Sequence, residues 1–339
     1  MINNNAKIRK TFNYLIRAAI VMVTYGFIYR QVFVNRKLDD ITGVFQPMLQ
    51  QRQTWIILGV VLFLMLVNWG IESAKWRLLI AKIEKLPFIR AFEGVLTGVS
   101  VSIFTPNRTG DYLGRVFILE KGNHIEGILI TIIGSFAQIV VILSIGLFGF
   151  LAFMEQYLQL SYSVHEYVVT AMIFLVPVSV FILLLLYFRI GLLSDLIRRY
   201  LPARWEKFNH YASIFSRYSN HELFWVLLLS AFRYMIFSVQ FYLLLRLFDV
   251  GIPFLQGFTL IAVIYLAMSL VPSVALVDLG VRGSVSVFVT GLYFSRFGGG
   301  PADLPVAVLA ASTFLWFINL ILPALMGTFF VFKLKFFRK

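Results

Sequence analysis

No cysteine occurs in the 339 residues, and that absence removes thiol nucleophiles, disulfides, iron–sulfur clusters and cysteine-based zinc sites together. Histidine is almost as scarce. His124, His165, His210 and His221 fall in loops or at span edges, at no spacing that ligates a metal or activates a nucleophile. A glycine-rich loop ending in Lys-Ser/Thr is missing too, which sets aside ATP-driven work by this chain alone and leaves an ion gradient or no energy source. Neither a catalytic residue, a metal nor a cofactor is expected. Charge is the last shortage: only 14% of residues are charged while 60% are hydrophobic, which excludes a water-soluble globule and makes lipid the main solvent.

The charges that remain are unbalanced, 30 Lys and Arg against 16 Asp and Glu, for a net +14. In a soluble protein that excess would suggest nucleic acid. Here the basic residues gather at span ends and in two loops, with no recognition motif, so they read as topology signals and contacts with anionic lipid. No nucleic-acid partner is expected. The first apolar run follows Lys7, Arg9, Lys10 and Arg17 without a small-residue cleavage site, which predicts an uncleaved first span rather than a signal peptide.

A crossing helix needs about 20 apolar residues, whereas runs of 10–14 suit re-entrant or interfacial segments. Six long runs predict spans: 14–34, 53–71, 127–154, 167–188, 223–248 and 304–332. Two short runs, 94–107 and 283–295, predict half-helices. The predicted fold class is all-α: one transmembrane domain over 1–339, a polytopic bundle of about six to eight spans with re-entrant hairpins around 92–122 and 254–297. Eight spans result if the uncharged stretch 250–277 crosses and 281–297 returns.

Basic stretches at Lys7–Arg17, Lys75–Arg90, Arg189–Arg217 and Lys333–Lys339 can all be cytoplasmic at once, with 155–166 outside and both termini inside. The halves, about 1–155 and 165–339, then enter from opposite faces as an inverted repeat. Residues 189–222 read as a basic amphipathic cytoplasmic loop. Trp55, Trp69, Trp76, Trp205, Trp225 and Trp316 mostly fall near span ends, as an aromatic belt requires.

The chemistry concentrates in two similar stretches, Thr105 to Arg115 and Val271 to Arg282. Both run Pro (Pro106, Pro272), a gap, Asp (Asp111, Asp278), then Arg four residues on (Arg115, Arg282), with Gly110 and Gly280 as further helix-breaking residues. The four-residue spacing puts carboxylate and guanidinium on one helical face. Prolines and ion pairs inside oily sequence are costly unless they line a protein-enclosed site. An arginine neutralised in this way stays available to exchange its carboxylate for a phosphate, gripped by two parallel hydrogen bonds. Arg108 and Asn107 belong to the same segment. Arg233, deep in its run, must find a partner; Glu72, beside Asn68, is one candidate or a proton-handling group. Gln138 and Gln240 suit contacts between helices, and Asn319 is added as a site candidate.

Pro106-Asn107-Arg108-Thr109-Gly110-Asp111 with Arg115, and Pro272 with Leu279-Gly280-Val281-Arg282, resemble the two signature segments of the lysylphosphatidylglycerol synthase transmembrane, flippase-like family. The resemblance covers most of the chain. It implies a lipid-handling protein of a bacterial inner membrane with re-entrant elements, and lipid translocation as the activity. Asp111 stands where the family usually has Glu, and Gly283 follows Arg282 where Glu is frequent. No aminoacyl-transfer domain follows residue 339, so lysyl-lipid synthesis is not implied.

The leading expectation is a flippase or transporter of a phosphate-bearing lipid or lipid-linked substrate, with membrane lipids of anionic headgroup as partners. A homo-oligomer or a partner lipid-modifying enzyme is a further expectation. Two alternatives stay open: a membrane enzyme acting on a lipid-linked phosphate or sugar, with Asp111 or Glu72 as acid or base, and an accessory subunit that transports nothing.

Overall fold

The computed structural model describes residues 50–103, 105, 108–120, 124–157, 162–192, 211, 213–271, 275–301 and 303–331. These residues form helices and no strand, as expected. The chain runs through α1 (Arg52–Ile80), α2 (Phe88–Ser102), α3 (Gly110–Val116), α4 (His124–Tyr157), α5 (Tyr162–Phe188), α6 (Asn220–Leu247), α7 (Phe254–Leu270), α8 (Ala275–Phe297), α9 (Leu304–Trp316) and α10 (Leu322–Val331). A π-helical turn, Phe317–Ile321, joins α9 to α10 into one span. Five helices among the described residues are long and apolar enough to cross a membrane: α1, α4, α5, α6 and the composite of α9 and α10. The expected span 14–34, and most of the loop 189–222, lie outside the described residues.

Local chemistry sets these boundaries. Ser219 begins α6 with a reciprocal cap: its hydroxyl accepts from the Glu222 amide while the Glu222 carboxylate accepts from the Ser219 amide. Helices α2 and α7 each begin after an extended proline, Pro87 and Pro253. Around those prolines the sequence repeats: Leu86-Pro87-Phe88-Ile89 with Phe92, and Ile252-Pro253-Phe254-Leu255 with Phe258. In both copies the i,i+4 phenylalanine rings are in contact, stacked in the first and tilted in the second, with centroids 6.2 and 4.6 Å apart. The π turn has its own cause. Pro323 lacks an N–H and its ring crowds the carbonyl four residues back, that of Asn319, so the helix widens there.

Helices α2 and α3 form a tight antiparallel hairpin. A Cβ on Gly114 would lie 2.6 Å from the Gly98 Cα, one on Gly110 would lie 2.5 Å from the Val101 carbonyl, and one on Gly94 would lie 3.0 Å from Ile118. Two facing small-xxx-small pairs, Gly94/Gly98 and Gly110/Gly114, let the backbones approach in this way. On its other side α2 packs against α10, where a Cβ on Gly327 would collide with the Leu96 carbonyl. The Ser100 hydroxyl donates to the Ala324 carbonyl at 2.6 Å across that contact. Helices α7 and α8 also pack through glycines: α7 against α4 through Gly146 on Leu266 and Gly149 on Ala262, and α8 against α9, its neighbour in the chain, through Gly283 on Leu309.

Each hairpin starts and finishes at one end of the bundle. Near the first, Arg90 pairs with Glu120 (2.6 Å), the Glu120 amide donates to Glu84, Lys82 pairs with Glu222 (2.6 Å), and the Tyr218 hydroxyl donates to the Leu79 carbonyl. At the other end, Tyr157 packs against Tyr293 in a tilted contact and edge-on to Phe297, and Tyr242 packs edge-on to Phe254. The composite of α9 and α10 is mostly buried by its neighbours and α5 is mostly exposed, so the composite is central and α5 peripheral.

The half-helix limits differ from expectation. The run 94–107 begins at Phe88 and ends at Ser102, because Pro87 rather than the charge at Glu93 sets its start. The run 283–295 belongs to a helix starting at Ala275, with Gly280, Asp278 and Arg282 inside it; Gly280 therefore breaks no helix. Gly110, by contrast, opens α3. Pro106, Asn107 and Pro272 lie outside the described residues. The stretch 250–277 contains a helix of only 17 residues, about 26 Å at ~1.5 Å per residue.

Candidate functional site

Glu72 is the centre of the charged interior. It lies on α1, only 4% exposed, and three cations from three elements converge on it. Arg115 Nη1 reaches Oε1 at 2.7 Å, and Arg233 Nη1 and Lys75 Nζ each reach Oε2 at 2.7 Å. Arg115 also closes a two-toothed pair with Asp111, Nε to Oδ1 at 2.8 Å and Nη2 to Oδ2 at 2.5 Å, so the i,i+4 pairing expected from sequence exists. Arg233, the fourteenth residue of 28 in α6, has its Nε on Asn68 Oδ1 at 3.0 Å and its guanidinium over the Trp69 ring at 5.0 Å. Its required partner is Glu72.

The hairpin tips form a second cluster. Asp278 Oδ2 accepts from Arg108 Nη2 at 3.2 Å and from Arg282 Nη2 at 3.4 Å. Arg108 therefore leaves its own hairpin and binds across to the other. It does so from the left-handed region, φ 56°, a conformation that costs a non-glycine residue about 1–3 kcal/mol unless its surroundings impose it.

Between these clusters lies a cavity of about 250 Å³, lined by Glu72, Lys75, Arg108, Asp111, Arg115 and Arg233, with Trp69, Tyr112 and Gln138 among the remaining wall residues. Its wall carries four cations against two carboxylates. Arg108 is half-exposed and balanced by Asp278 outside the wall, so the buried excess is Lys75, Arg115 and Arg233 against Glu72 and Asp111, one positive charge that an arriving anion offsets. Asn68 Nδ2, Trp69 Nε1 and Gln138 Oε1 are buried polar atoms without a hydrogen-bond partner among the described residues, so neutral hydrogen-bonding capacity remains as well.

Of the residues singled out in the sequence, Glu72, Arg108, Asp111, Arg115 and Arg233 meet at this cavity, and Asp278 and Arg282 meet beside Arg108. Asn319 does not line it. That side chain bonds back to the Leu315 carbonyl within the widened turn, where its neighbour Leu320 faces the cavity. Lys75 is the residue missed. It was read as one of a run of cytoplasmic charges, yet it is 2% exposed and salt-bridged. The signal was its spacing of three from Glu72, which lets α1 stay buried nine residues past the uncharged run. The aromatic belt also needs correction: Trp69, Trp76 and Trp316 are buried, Trp76 donating to Thr131 at 3.1 Å, while Trp55 and Trp225 are exposed and Trp205 is outside the described residues. Among the described residues no group of three metal-ligating side chains comes together.

The sequence profile of the family described as "Lysylphosphatidylglycerol synthase TM region" matches residues 40–323. The chain belongs to that family. The match spans both hairpins and every residue of the charged interior, so the chain holds these ionisable groups within the stretch that the family profile covers. No curated protein and no solved structure matches the chain.

Proposed function

We propose that this membrane protein moves a lipid with a phosphate-bearing headgroup across the inner membrane, receiving the phosphate in the charged cavity. One observation carries the reading: an ionic network at the centre of an apolar bundle whose cations outnumber its carboxylates, and in which Arg115 is held by the same two-toothed geometry that phosphate accepts. The phosphate replaces Asp111 or Glu72 on Arg115 and Arg233 while the acyl chains stay in lipid. Asp111 and Asp278 neutralise the arginines between turnovers.

The helix lengths and end contacts support two re-entrant hairpins. Helix α2 spans about 22 Å and α7 about 26 Å at ~1.5 Å per residue, short of the ~30 Å hydrocarbon core, whereas α8, at about 35 Å, is long enough to reach across and enters the hairpin reading through its end contacts rather than its length. Each hairpin has both ends at one end of the bundle, and their tips meet at Arg108 and Asp278. The crosswise packing of α2 on α10 and α7 on α4, with the repeated Pro-Phe starts, supports two inverted halves. The end carrying Lys82, Arg90 and Arg217 is the cytoplasmic one, with both termini on that side.

The test is transbilayer movement in vesicles reconstituted with the protein, comparing a fluorescent anionic lipid with a zwitterionic one. The anionic lipid should move faster, and Arg115→Lys or Arg233→Lys should slow it about tenfold or more while the bundle still folds, because a lysine point charge cannot replace the fork. Equal rates for both lipids, untouched by either substitution, would make the arginines structural.

A further inference from the structure

Val285, Val289, Leu292 and Arg296 follow one another along α8 at four- and three-residue steps, which places all four on one stripe of the helix. The first three line a groove of about 570 Å³ between α4, α7 and α8, whose wall is apolar except for Ser284. Phe288, beside the stripe, is 67% exposed, so the groove opens sideways to lipid. Its two ends differ in depth. Helix α8 runs from the interior hairpin tip near Asp278 to a last turn that holds Arg296, so Val285 marks the deep end of the groove and Leu292 the shallow one. The eleven steps from Val285 to Arg296 rise about 16 Å at ~1.5 Å per residue, close to half of a ~30 Å hydrocarbon core. The groove is one leaflet deep.

The apolar wall gives way to polar groups only beyond its shallow end. Arg296 is exposed there and makes no ion pair among the described residues, and helical side chains lean toward the preceding turn, which carries this one over Leu292. Tyr157 packs on the groove residue Phe153 with ring centroids 5.1 Å apart. It is 4% exposed, and its hydroxyl has no hydrogen-bond partner among the described residues. We infer that the groove holds an anionic phospholipid of the outer leaflet: one acyl chain runs inward from Leu292 to Val285, and the phosphate lies at the membrane surface against Arg296. The lipid keeps its leaflet's own orientation, headgroup toward water and chain toward the midplane. Naming the leaflet rests on the orientation proposed above, and the site uses none of the residues of the charged cavity. A lone guanidinium favours a headgroup of net negative charge over one whose own cation competes for the phosphate, and the apolar wall selects a chain over a soluble anion.

The experiment uses the full chain in nanodiscs of mixed phosphatidylglycerol and phosphatidylcholine, with a photoactivatable group placed on the phosphatidylglycerol chain either near its ester or near its end. The ester-proximal probe should label around Phe153 and Leu292, and the chain-end probe around Ala267 and Val285. Unlabelled phosphatidylglycerol should compete this labelling away far better than phosphatidylcholine or glycerophosphate. Arg296→Gln should lower it about tenfold, as losing a charge-assisted hydrogen bond does, while Arg246→Gln, on an exposed arginine at the same end of α6, leaves it unchanged. Both substitutions are at the surface, so the fold survives them. Reversed order of the two probes, equal competition by phosphatidylcholine, or labelling that ignores Arg296→Gln would overturn the site. Competition by glycerophosphate would place a free anion at Arg296 and equally overturn it. A chain that labels as expected but moves no lipid in vesicles would refute transport and leave the groove standing, and rapid movement without depth-ordered labelling would do the opposite.

Discussion

At the scale of single residues, Glu72 makes the interior an indivisible unit, because one carboxylate satisfies Arg115, Arg233 and Lys75 together. Its removal should cost more than that of any single cation. Glu72→Gln leaves three buried cations short of a partner, and breaking one such pair alone costs about 3–5 kcal/mol, whereas an exposed pair contributes about 1 kcal/mol or less. Thermal unfolding in detergent should thus show a large loss for Glu72→Gln and Asp111→Asn and almost none for Glu120→Gln, whose ion pair with Arg90 lies at the surface. Equal melting shifts for all three would show that water reaches the network. Much of this site was legible in the sequence: the four-residue spacing foretold Asp111 with Arg115, and burial cost foretold a partner for Arg233. Lys75 was not, since a lysine at the end of an oily run looks the same whether it snorkels to water or folds back onto a glutamate one turn earlier. Nor was the contact of Arg108 with Asp278, which joins residues 170 apart that no local pattern links.

At the scale of elements, glycines set how closely the helices approach. Gly114→Ala would force its methyl into the Gly98 backbone, and Gly327→Ala would drive one into the Leu96 carbonyl; neither obstacle is a flexible side chain. Such overpacking costs about 1–3 kcal/mol and should splay α3 or α10 from α2. Gly291 has nothing within 4 Å of an added Cβ, so Gly291→Ala should be neutral or stabilise α8 by up to about 1 kcal/mol. Melting curves of the three variants decide this; a harmless Gly114→Ala would mean that the hairpin is looser than described. Hydropathy located α4, α5, α6 and the composite of α9 and α10 to within five residues because lipid demands uninterrupted apolar helix, but it ended α1 nine residues early, where Lys75 and Glu72 neutralise each other inside the bundle. It misplaced the starts of α2 and α8, where the boundary is set by proline and by hairpin packing rather than by the next charge.

At the scale of the whole molecule, the ends of the bundle can be addressed one by one, because the chain contains no native cysteine. A cysteine at Glu155 should react with an impermeant reagent applied to the outer face of the membrane, and one at Lys82 or Arg217 only after that membrane is breached. The reverse pattern would invert the orientation. A final consequence follows from the two hairpin tips meeting on a single carboxylate. Any pathway between them is walled by fixed guanidinium groups, and like charges repel protons and metal cations from such a constriction. On the proposed reading, a protein built this way keeps protons and small cations from leaking through while an anionic headgroup slips past, so the only charge that crosses the membrane voltage is that of the cargo itself.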